Sequence, residues 1–294
     1  MTTEKVAFVG LGVMGYPMAG HLSGTSLGVT VYNRTDSRAQ QWLQTFSGEK
    51  AATPAETAAD ADIVCLCVGN DDDVRSVVYG DTGILAGLKK GAILIDHTTA
   101  SPELAKELEL AVNEAGSEFL DAPVSGGQAG AENGALTIMV GGKQAAFDIA
   151  KDVMGVYAKS VRLMGPAGSG QLTKAVNQIC IAGVLQGLSE GLHFAEKVGL
   201  DINAVVDVIS KGAAQSWQME NRAATMAEAE FDFGFAVDWM RKDLAIALAT
   251  ANAAGVSLPL TALVDQFYQD VQRQGGGRWD SSSLIQRLRS PDAR

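Results

Sequence analysis

A short apolar run, a glycine-rich loop and a helical pattern follow one another at the start of the chain. Residues 5–9 have the composition of a strand, and residues 10–15 spell Gly-x-Gly-x-x-Gly. A helical pattern from residue 16 to about residue 26 leads to a second apolar run at 29–32. A glycine pattern of this kind is weak by itself, but between a strand and a helix it indicates a dinucleotide-binding βαβ unit.

Each glycine of this loop has a physical role in such a unit. Gly10 allows the tight turn, Gly12 lets the backbone approach a pyrophosphate, and Gly15 lets the helix pack closely on the strand. The helix N-terminus adds amide groups that lack an intrahelical acceptor and attract phosphate. The predicted cofactor contacts in this loop are therefore Gly10, Leu11, Gly12, Val13, Met14 and Gly15.

The end of the second strand lacks the acidic residue that binds a ribose 2′-hydroxyl in NAD-binding proteins. The chain has Asn33, Arg34 and Thr35 there, and a cation in place of an acid favours a 2′-phosphate. Asp36 lies beyond the strand and is better explained as part of a helix start. We therefore predict that Asn33, Arg34 and Thr35 contact the cofactor and that NADP is preferred over NAD.

Composition excludes several other classes of protein. A formal charge of −11 on 294 residues argues against nucleic acid, whose phosphates the chain would repel. The sequence has neither a signal-peptide pattern at its start nor an uninterrupted apolar run of about eighteen residues, so it predicts no membrane span.

Cys65, Cys67 and Cys180 lie in apolar runs without zinc-ligand spacing. We expect them to be buried free thiols, we expect no bound metal, and we expect a cytoplasmic location.

Strand and helix patterns alternate through the first half of the chain, and this alternation is typical of a mainly parallel sheet covered on both faces. From residue 171 onward nearly every segment has helical periodicity. The sequence predicts a doubly wound α/β domain of the Rossmann type over residues 1–164 and an all-α domain over 165–294, entered by one long helix. Between residues 122 and 140 the spacing suggests antiparallel pairing at one sheet edge. The predicted strands are 6–9, 29–32, 63–68, 92–96, 119–121, 136–140 and a short run near 160–163.

Lys174 is the sharpest candidate for chemistry. It interrupts the pattern 170–198, which is apolar nearly all round and therefore typical of a buried helix. Asn177 and Gln178 follow within one turn and flank the same face. Desolvation lowers the pKa of a buried amine, which suits proton transfer near neutral pH. The alternative is a lysine whose amine reaches solvent along its aliphatic stem.

Three further segments carry polar groups that could serve a site. Residues 121–127 follow a predicted strand and offer the Ser125 hydroxyl with the amides of Gly126 and Gly127. Residues 96–102 follow another strand and contain Thr99 and His97, a rival acid–base group because imidazole titrates near neutrality. Val68 ends the predicted strand 63–68 and is a further cofactor-contact candidate, because ligands bind beyond the carboxyl ends of such strands. Residues 241–243 carry three charges on a helix, whose simplest interpretation is a solvated face.

Together these segments resemble the β-hydroxyacid dehydrogenase family, which includes 3-hydroxyisobutyrate dehydrogenases, tartronate semialdehyde reductases and glyoxylate/succinic semialdehyde reductases. The resemblance extends over essentially the whole chain. Each motif is modest alone, but five in family-like order are specific. They are the glycine loop with Tyr16-Pro17-Met18, Asp96-His97-Thr98-Thr99, Asp121 to Gly127, Gly168 to Asn177, and Lys242-Asp243-Leu244.

The resemblance implies a role for each matching residue. Lys174 matches the catalytic lysine, which argues against the imine-reducing relatives that usually lack it. Ser125, Gly126 and Gly127 match the loop that holds the substrate carboxylate. The remaining matches are Asn177 as a substrate-positioning amide, Gln178 beside it where many members have a second asparagine, and Thr99 and Lys242 as cofactor contacts.

The implied activity is the NAD(P)-dependent interconversion of a small β-hydroxyacid and its semialdehyde, with Lys174 as general acid and base. One alternative is an NADPH-dependent glyoxylate or succinic semialdehyde reductase. A second is a non-catalytic NADP-binding protein, against which the presence of Ser125, Lys174 and Asn177 together argues. The long apolar helix also suggests packing between subunits, so we expect a homodimer or a homotetramer.

Overall fold

The computed structural model describes residues 5–289, in which a mixed β-sheet and its covering helices come first and a group of helices follows. The strands are β1 Lys5–Val9, β2 Gly28–Tyr32, β3 Glu49–Lys50, β4 Ile63–Leu66, β5 Ile93–Asp96, β6 Glu118–Asp121, β7 Val124–Ser125, β8 Leu136–Gly142 and β9 Ala158–Gly165. The helices are α1 Gly15–Ser23, α2 Asp36–Thr45, α3 Pro54–Ala58, α4 Asp71–Val78, α5 Ile84–Gly87, α6 Pro102–Glu114, α7 Gly127–Glu132, α8 Gln144–Gly155, α9 Ser169–Lys197, α10 Ile202–Ile209, α11 Trp217–Glu228, α12 Val237–Ala253, α13 Pro259–Arg273 and α14 Leu284–Arg289.

Six parallel strands lie in the order β3-β2-β1-β4-β5-β6, which is the order of a dinucleotide-binding sheet. The strand order reverses at β1, between β2 and β4. Beyond β6 the sheet becomes mixed, because β8 pairs antiparallel with β6 and β7, and β9 pairs parallel with β8. The predicted Rossmann-type fold is confirmed, and so is the antiparallel pairing between residues 122 and 140.

The central strands are buried on both faces, and alternate residues of each strand belong to different apolar clusters. Val6 and Phe8 of β1 pack in one cluster, whereas Ala7 and Val9 pack in the other. This is the two-residue period of a strand covered by helices on both sides. The parallel sheet is therefore packed against an apolar cluster on each face. The loops that follow the strands begin at the carboxyl-terminal edge of this sheet.

The chain divides into two compact units within α9: the first ends at Lys174 and the second begins at Ala175. The second unit is helical, as predicted, and packs around two clusters of its own. One cluster includes Leu185, Met240 and Tyr268, and the other includes Leu192 and Met226. The domain boundary predicted at residues 164 and 165 stays a prediction.

Several local expectations differ from the structure. Helix α9 is not buried all round, because Leu172, Val176 and Val184 are 43%, 59% and 39% exposed and Cys180 is exposed as well. Leu172, Val176, Cys180 and Val184 are spaced four residues apart, so they form one stripe along the helix. The short elements β3, β7 and α7 were not predicted, since two to six residues carry too little periodicity. Within residues 5–289, none of the helices combines the length and the apolar composition that a membrane-spanning helix requires.

Candidate functional site

The glycine loop has the geometry that its sequence predicts. Gly10 has φ +95° and donates its amide to Tyr32 O at 2.8 Å, which joins the end of β1 to the end of β2. A Cβ at Gly15 would clash with Gly10 O and lie 2.9 Å from Phe8 Cε1. A Cβ at Gly12 would meet no atom within 4 Å. The loop is therefore packed tightly at its first and third glycines and open at its second.

Asn33 and Arg38 hold this loop from the side of β2. Asn33 Oδ1 accepts the Leu11 amide at 2.9 Å, and its Nδ2 donates to Thr35 O at 3.0 Å. Arg38 Nε donates to Leu11 O at 3.0 Å, and its guanidinium lies 4.6 Å from the centre of the Tyr16 ring. The sequence did not single out Arg38, because its spacing from the loop depends on how α2 folds back.

Arg34 and Thr35 lie at the exposed end of the β2–α2 connection. The Arg34 side chain is 82% exposed and pairs with Asp73 at 3.1 Å. An ion pair at this exposure contributes little to stability and exchanges readily for another anion. Thr35 is the N-cap of α2, and Asp36 is in the first helical turn, as predicted, where it pairs with Lys50.

The loops after β4 and β5 are joined by hydrogen bonds around Thr98. The Val68 amide donates to Thr98 Oγ1 at 3.0 Å, and the Thr98 amide donates to Asp96 Oδ1 at 2.8 Å. Thr99, the next residue, is half-buried. Burial raises the pKa of Asp96 to about 7, while the hydrogen bonds from Thr98 oppose the rise. These bonds fix the backbone on which Thr99 and Val68 lie.

His97 lies away from solvent, with both ring nitrogens bonded to the protein. Its side chain is 1% exposed, with Nδ1 at 2.7 Å from Ala122 O and Nε2 at 2.8 Å from Tyr157 Oη. Burial lowers the pKa of His97 to about 4, so the imidazole is neutral at physiological pH. A ring held in this way is a poor candidate for the acid–base group.

Asp121 holds the N-terminus of α9, the helix that carries Lys174. Its carboxylate accepts the amides of Gly168 at 2.7 Å and Gln171 at 2.9 Å. Burial raises the pKa of Asp121, and these backbone hydrogen bonds oppose the rise. A Cβ at Gly170 would lie 2.8 Å from Asp121 Oδ2, and one at Gly141 would clash with Asp121 Oδ1. The carboxylate thus occupies space that two glycines leave open.

Gln171 links the same helix start to the loop after β5. Its Oε1 accepts the Ala100 amide at 3.1 Å, and its Nε2 donates to Thr98 O at 2.7 Å. The side chain is 2% exposed, so these bonds are shielded from water. The sequence did not single out Gln171, because a glutamine among apolar residues has no spacing signature.

Lys174 is buried beside the loop after β6. Its side chain is 6% exposed, and Nζ donates to Val124 O at 2.9 Å. Ser125 follows Val124 and is half-buried, and Gly126 and Gly127 have φ of +133° and +62°. Since side chains other than glycine rarely adopt such angles, the local backbone requires both glycines. The structure thus brings Lys174 next to the segment that holds Ser125.

In the second unit, Asn177, Gln178 and Asp243 form a short series of hydrogen bonds. Asn177 Nδ2 donates to Gln178 Oε1 at 2.8 Å, and Gln178 Nε2 donates to Asp243 Oδ2 at 2.7 Å. Asp243 is 2% exposed and pairs with Lys242 at 3.2 Å, and Lys242 Nζ is 5.9 Å from the centre of the Trp239 ring. The interpretation of residues 241–243 as a solvated face is therefore wrong for Asp243.

The outcome for the cysteines is mixed. Cys65 is buried, but Cys67 is half-buried and Cys180 is exposed, so the expectation of three buried thiols is wrong for Cys180. The reason is its position on the exposed stripe of α9. Within the described part of the chain, no group of three or more His, Cys, Asp or Glu side chains could hold a metal ion.

Comparison with known proteins assigns the family. Residues 5–165 match the model described as the NAD binding domain of 6-phosphogluconate dehydrogenase. Residues 168–288 match the model described as NAD-binding of NADP-dependent 3-hydroxyisobutyrate dehydrogenase. The 2-hydroxy-3-oxopropionate reductase of Escherichia coli is 35% identical, with 97% of each chain covered. The chain belongs to the 3-hydroxyisobutyrate dehydrogenase family.

Two further relatives of this family agree over nearly the full length. An uncharacterised oxidoreductase of Shewanella frigidimarina is 62% identical, covering 97% of this chain and 98% of that protein. The structure of Mycobacterium tuberculosis 3-hydroxyisobutyrate dehydrogenase with L-serine superimposes with a TM-score of 0.89 and 29% identity, covering 99% of this chain and 100% of that one. The chain is therefore an NAD(P)-binding β-hydroxyacid dehydrogenase or reductase that acts on the CH–OH group of small molecules.

The glycine loop fits the cofactor class of the 3-hydroxyisobutyrate dehydrogenase family. The open space beside Gly12 admits a pyrophosphate close to the backbone, and the first amides of α1 lie directly beyond it. No acidic side chain follows β2 at residues 33–35. Val13 is 51% exposed at the loop surface, while Leu11 is buried and Met14 packs against the core. The loop thus presents its backbone to a ligand.

Proposed function

We propose that this enzyme oxidises a small β-hydroxyacid of the 3-hydroxyisobutyrate type to its semialdehyde with NADP⁺, and that Lys174 is the general acid and base. Lys174 takes the hydroxyl proton during oxidation and returns it to the carbonyl oxygen during reduction. The nicotinamide, when bound, supplies the hydride acceptor or donor. The protein contributes position and proton transfer.

The observation that carries the proposal is the placement of the Lys174 amine. It is buried, and its Nζ donates at 2.9 Å to the carbonyl oxygen of Val124, the residue before Ser125. A buried lysine is rare without such a partner. The Val124 carbonyl accepts one N–H of the Lys174 amino group and so fixes the position of the nitrogen.

The substrate carboxylate is assigned to the start of α7. Gly126 and Gly127 turn the backbone with positive φ, and no atom lies within 4 Å of a Cβ built on Gly127. The Ser125 hydroxyl and the two glycine amides then provide donors for one anionic group. Asn177, three residues beyond Lys174 on α9, is proposed to position the substrate, with Gln178 beside it. Thr99, Val68 and Lys242 are proposed cofactor contacts.

A substrate panel tests the proposed function. Purified enzyme is assayed at fixed NADP⁺ with 3-hydroxyisobutyrate, serine, 3-hydroxypropionate and glycerate, and in the reverse direction with the matching semialdehydes, glyoxylate and succinic semialdehyde. We expect the largest kcat/KM for a β-hydroxyacid with a short side chain. Turnover confined to glyoxylate and succinic semialdehyde would assign the reductase function instead. Inactivity with every compound would favour a non-catalytic NADP-binding protein.

Cofactor preference gives a prediction for Arg34. Arg34→Ala should lower kcat/KM for NADPH by about ten- to a hundredfold, because a hydrogen bond to a charged group contributes about 1.5–3 kcal/mol and 1.4 kcal/mol is tenfold. The value for NADH should change little, since a ribose hydroxyl carries no charge for Arg34 to neutralise. Steady-state kinetics with both cofactors measure the two values.

The matched control is Arg162→Ala, because Arg162 is an exposed arginine on β9, which lies far across the sheet from β2. It should change neither cofactor's kcat/KM. A clear preference of the unmodified enzyme for NADH would contradict the NADP assignment, and so would equal losses for NADPH and NADH in Arg34→Ala.

We also propose that the enzyme is a homodimer or a homotetramer. The α9 stripe of Leu172, Val176, Cys180 and Val184 leaves apolar side chains exposed along about three turns, and Phe194 further along is 64% exposed. Apolar patches of this kind mark protein interfaces. Light scattering after gel filtration should give a mass at least twice that of one chain, and Val176→Glu should reduce it. The mass of a single chain at micromolar concentration would contradict this proposal.

The proposed division of labour follows the predicted domains. Residues 1–164 bind the dinucleotide, and residues 165–294 contribute substrate and subunit contacts. The three cysteines are present as thiols rather than as disulfides. This agrees with a reducing compartment, so we propose a cytoplasmic location.

A further inference from the structure

The imidazole of His97 is held on all sides inside the first unit. Its ring stacks on Phe8, with ring centres 6.5 Å apart, and meets the Tyr157 ring edge-on at 5.6 Å. Its two nitrogens bond to Ala122 O and Tyr157 Oη. Beyond Tyr157, Cys65 Sγ lies 3.9 Å from the same phenolic oxygen. These groups form one continuous series of polar contacts through an otherwise apolar core.

The chemistry of the partners determines where each hydrogen lies. A carbonyl oxygen can only accept a hydrogen bond, so His97 Nδ1 is protonated and donates to Ala122 O. In the neutral ring Nε2 then holds a lone pair, and the Tyr157 hydroxyl must donate to it. The phenolic oxygen is left to accept from the Cys65 thiol, which stays protonated because burial raises its pKa to about 12. Every hydrogen bond in the series therefore points in one direction, toward Ala122.

Ala122 is thereby held on both sides of its backbone. Its amide donates to Asp96 O at 2.7 Å, and its carbonyl receives His97. The next residue is Pro123, whose φ is fixed by its ring and whose carbonyl accepts the Met139 amide at 3.2 Å. Val124 follows, and its carbonyl receives Lys174. The backbone from His97 to the Lys174 amine thus has little freedom to shift.

We propose that His97, as the Nδ1-protonated neutral imidazole backed by Tyr157, is a positioning residue that fixes Ala122 and so the Val124 carbonyl to which Lys174 is bonded. This inference rests on the proposed acid–base role of Lys174. His97 acts through the loop and has no contact with the reacting atoms. Its partner Tyr157 is sixty residues further along the chain.

The hydrogen-bond series is tested first by NMR, independently of any activity. The chain has three histidines, so a ¹H–¹⁵N long-range correlation spectrum at pH 7 resolves each ring. We expect one ring with a protonated Nδ1 and an unprotonated Nε2, absent from the spectrum of His97→Asn. Tyr157→Phe removes one oxygen atom and should shift that Nε2 resonance. A ring protonated at Nε2, or an average of both forms, would overturn the series.

Kinetics then test positioning. His97→Asn places an amide N–H near the position of Nδ1 and can still donate to Ala122 O, whereas His97→Leu cannot. We expect His97→Leu to lower kcat by about ten- to a hundredfold, the loss caused by ångström-scale misplacement of a reacting group, with KM for NADP⁺ unchanged. His97→Asn should recover most of that loss. Tyr157→Phe, the mildest change, should lower kcat less than His97→Leu and leave the same KM unchanged.

A stability control separates positioning from general damage. Leu108→Ala removes side-chain volume from the cluster on the opposite face of the sheet and should lower Tm without lowering kcat per folded enzyme. Equal kcat losses in His97→Leu, His97→Asn and Leu108→Ala would overturn the positioning role. If the NMR result holds while Lys174 variants keep full turnover, the proposed function fails and the hydrogen-bond series stands.

Discussion

Replacing Lys174 by methionine should lower kcat by about 10²- to 10⁴-fold, the range that general acid–base catalysis contributes. Methionine keeps an unbranched apolar stem in the same buried place and removes the amino group that donates to Val124 O. Affinity for NADP⁺ should stay close to that of the unmodified enzyme, because the glycine loop is untouched. Stopped-flow or steady-state hydride transfer, together with cofactor titration by fluorescence, measures the two quantities.

Lys151→Met is the matched control, since Lys151 is an exposed lysine of α8 paired with Asp148. It should change neither turnover nor cofactor affinity. Turnover of Lys174→Met near that of the unmodified enzyme would remove Lys174 from the mechanism. Greater damage from His97→Asn than from Lys174→Met would point to the imidazole as the acid–base group, against its burial.

The second and third glycines of the glycine loop should respond to alanine in opposite ways. Gly12→Ala should leave Tm unchanged, because its Cβ meets no atom within 4 Å, but weaken NADP⁺ binding by about tenfold or more, since that space faces the pyrophosphate. Gly15→Ala should lower the free energy of unfolding by at least about 1–3 kcal/mol, the cost of overpacking. Its Cβ would clash with Gly10 O and press on Phe8.

Calorimetry for Tm and isothermal titration for NADP⁺ separate these outcomes. Gly155→Ala is the control, because a Cβ at this last residue of α8 also meets no atom within 4 Å, and it should alter neither measurement. Loss of Tm in Gly12→Ala, or unchanged cofactor affinity, would show that the loop does not present its second glycine to a ligand.

The sequence predicts those parts of the fold whose signals lie close together along the chain. The unit β1–α1–β2 follows from an apolar run, three glycines and a helical period within thirty residues, and the helical second unit follows from long amphipathic patterns. The antiparallel pairing of β8 was also predictable, because two strand patterns lie close together along the chain. Helix α7 was missed, since Gly127 begins it and glycine is a poor signal for a helix start.

Residues whose surroundings come from distant parts of the chain could not be assigned from sequence. The sequence indicates His97 as a rival base because imidazole titrates near neutrality. Its hydrogen bond to Tyr157, which lies on another segment, cannot be read from that local pattern. The sequence predicts Gln178 as a substrate contact and gives no sign that its amide is bonded to both Asn177 and Asp243. The exposure of Val176 and Cys180 likewise depends on which side of α9 the other helices cover. The apolar periodicity of a helix indicates which residues share a face, but it does not show which other element covers that face.

The carboxylate of Asp121 has a consequence for how this sequence can vary. Its Oδ1 occupies the place where a Cβ of Gly141 would lie, while the two oxygens bind the amides that begin α9. A Cβ at Gly170 would clash with the backbone carbonyl oxygens of Met139 and Asp121 as well as with Oδ2. A side chain at Gly141 therefore requires only the carboxylate to move, whereas one at Gly170 requires the backbone to move. Among descendants of this chain, positions 121 and 141 should accordingly change together or stay as they are, and position 170 should stay glycine.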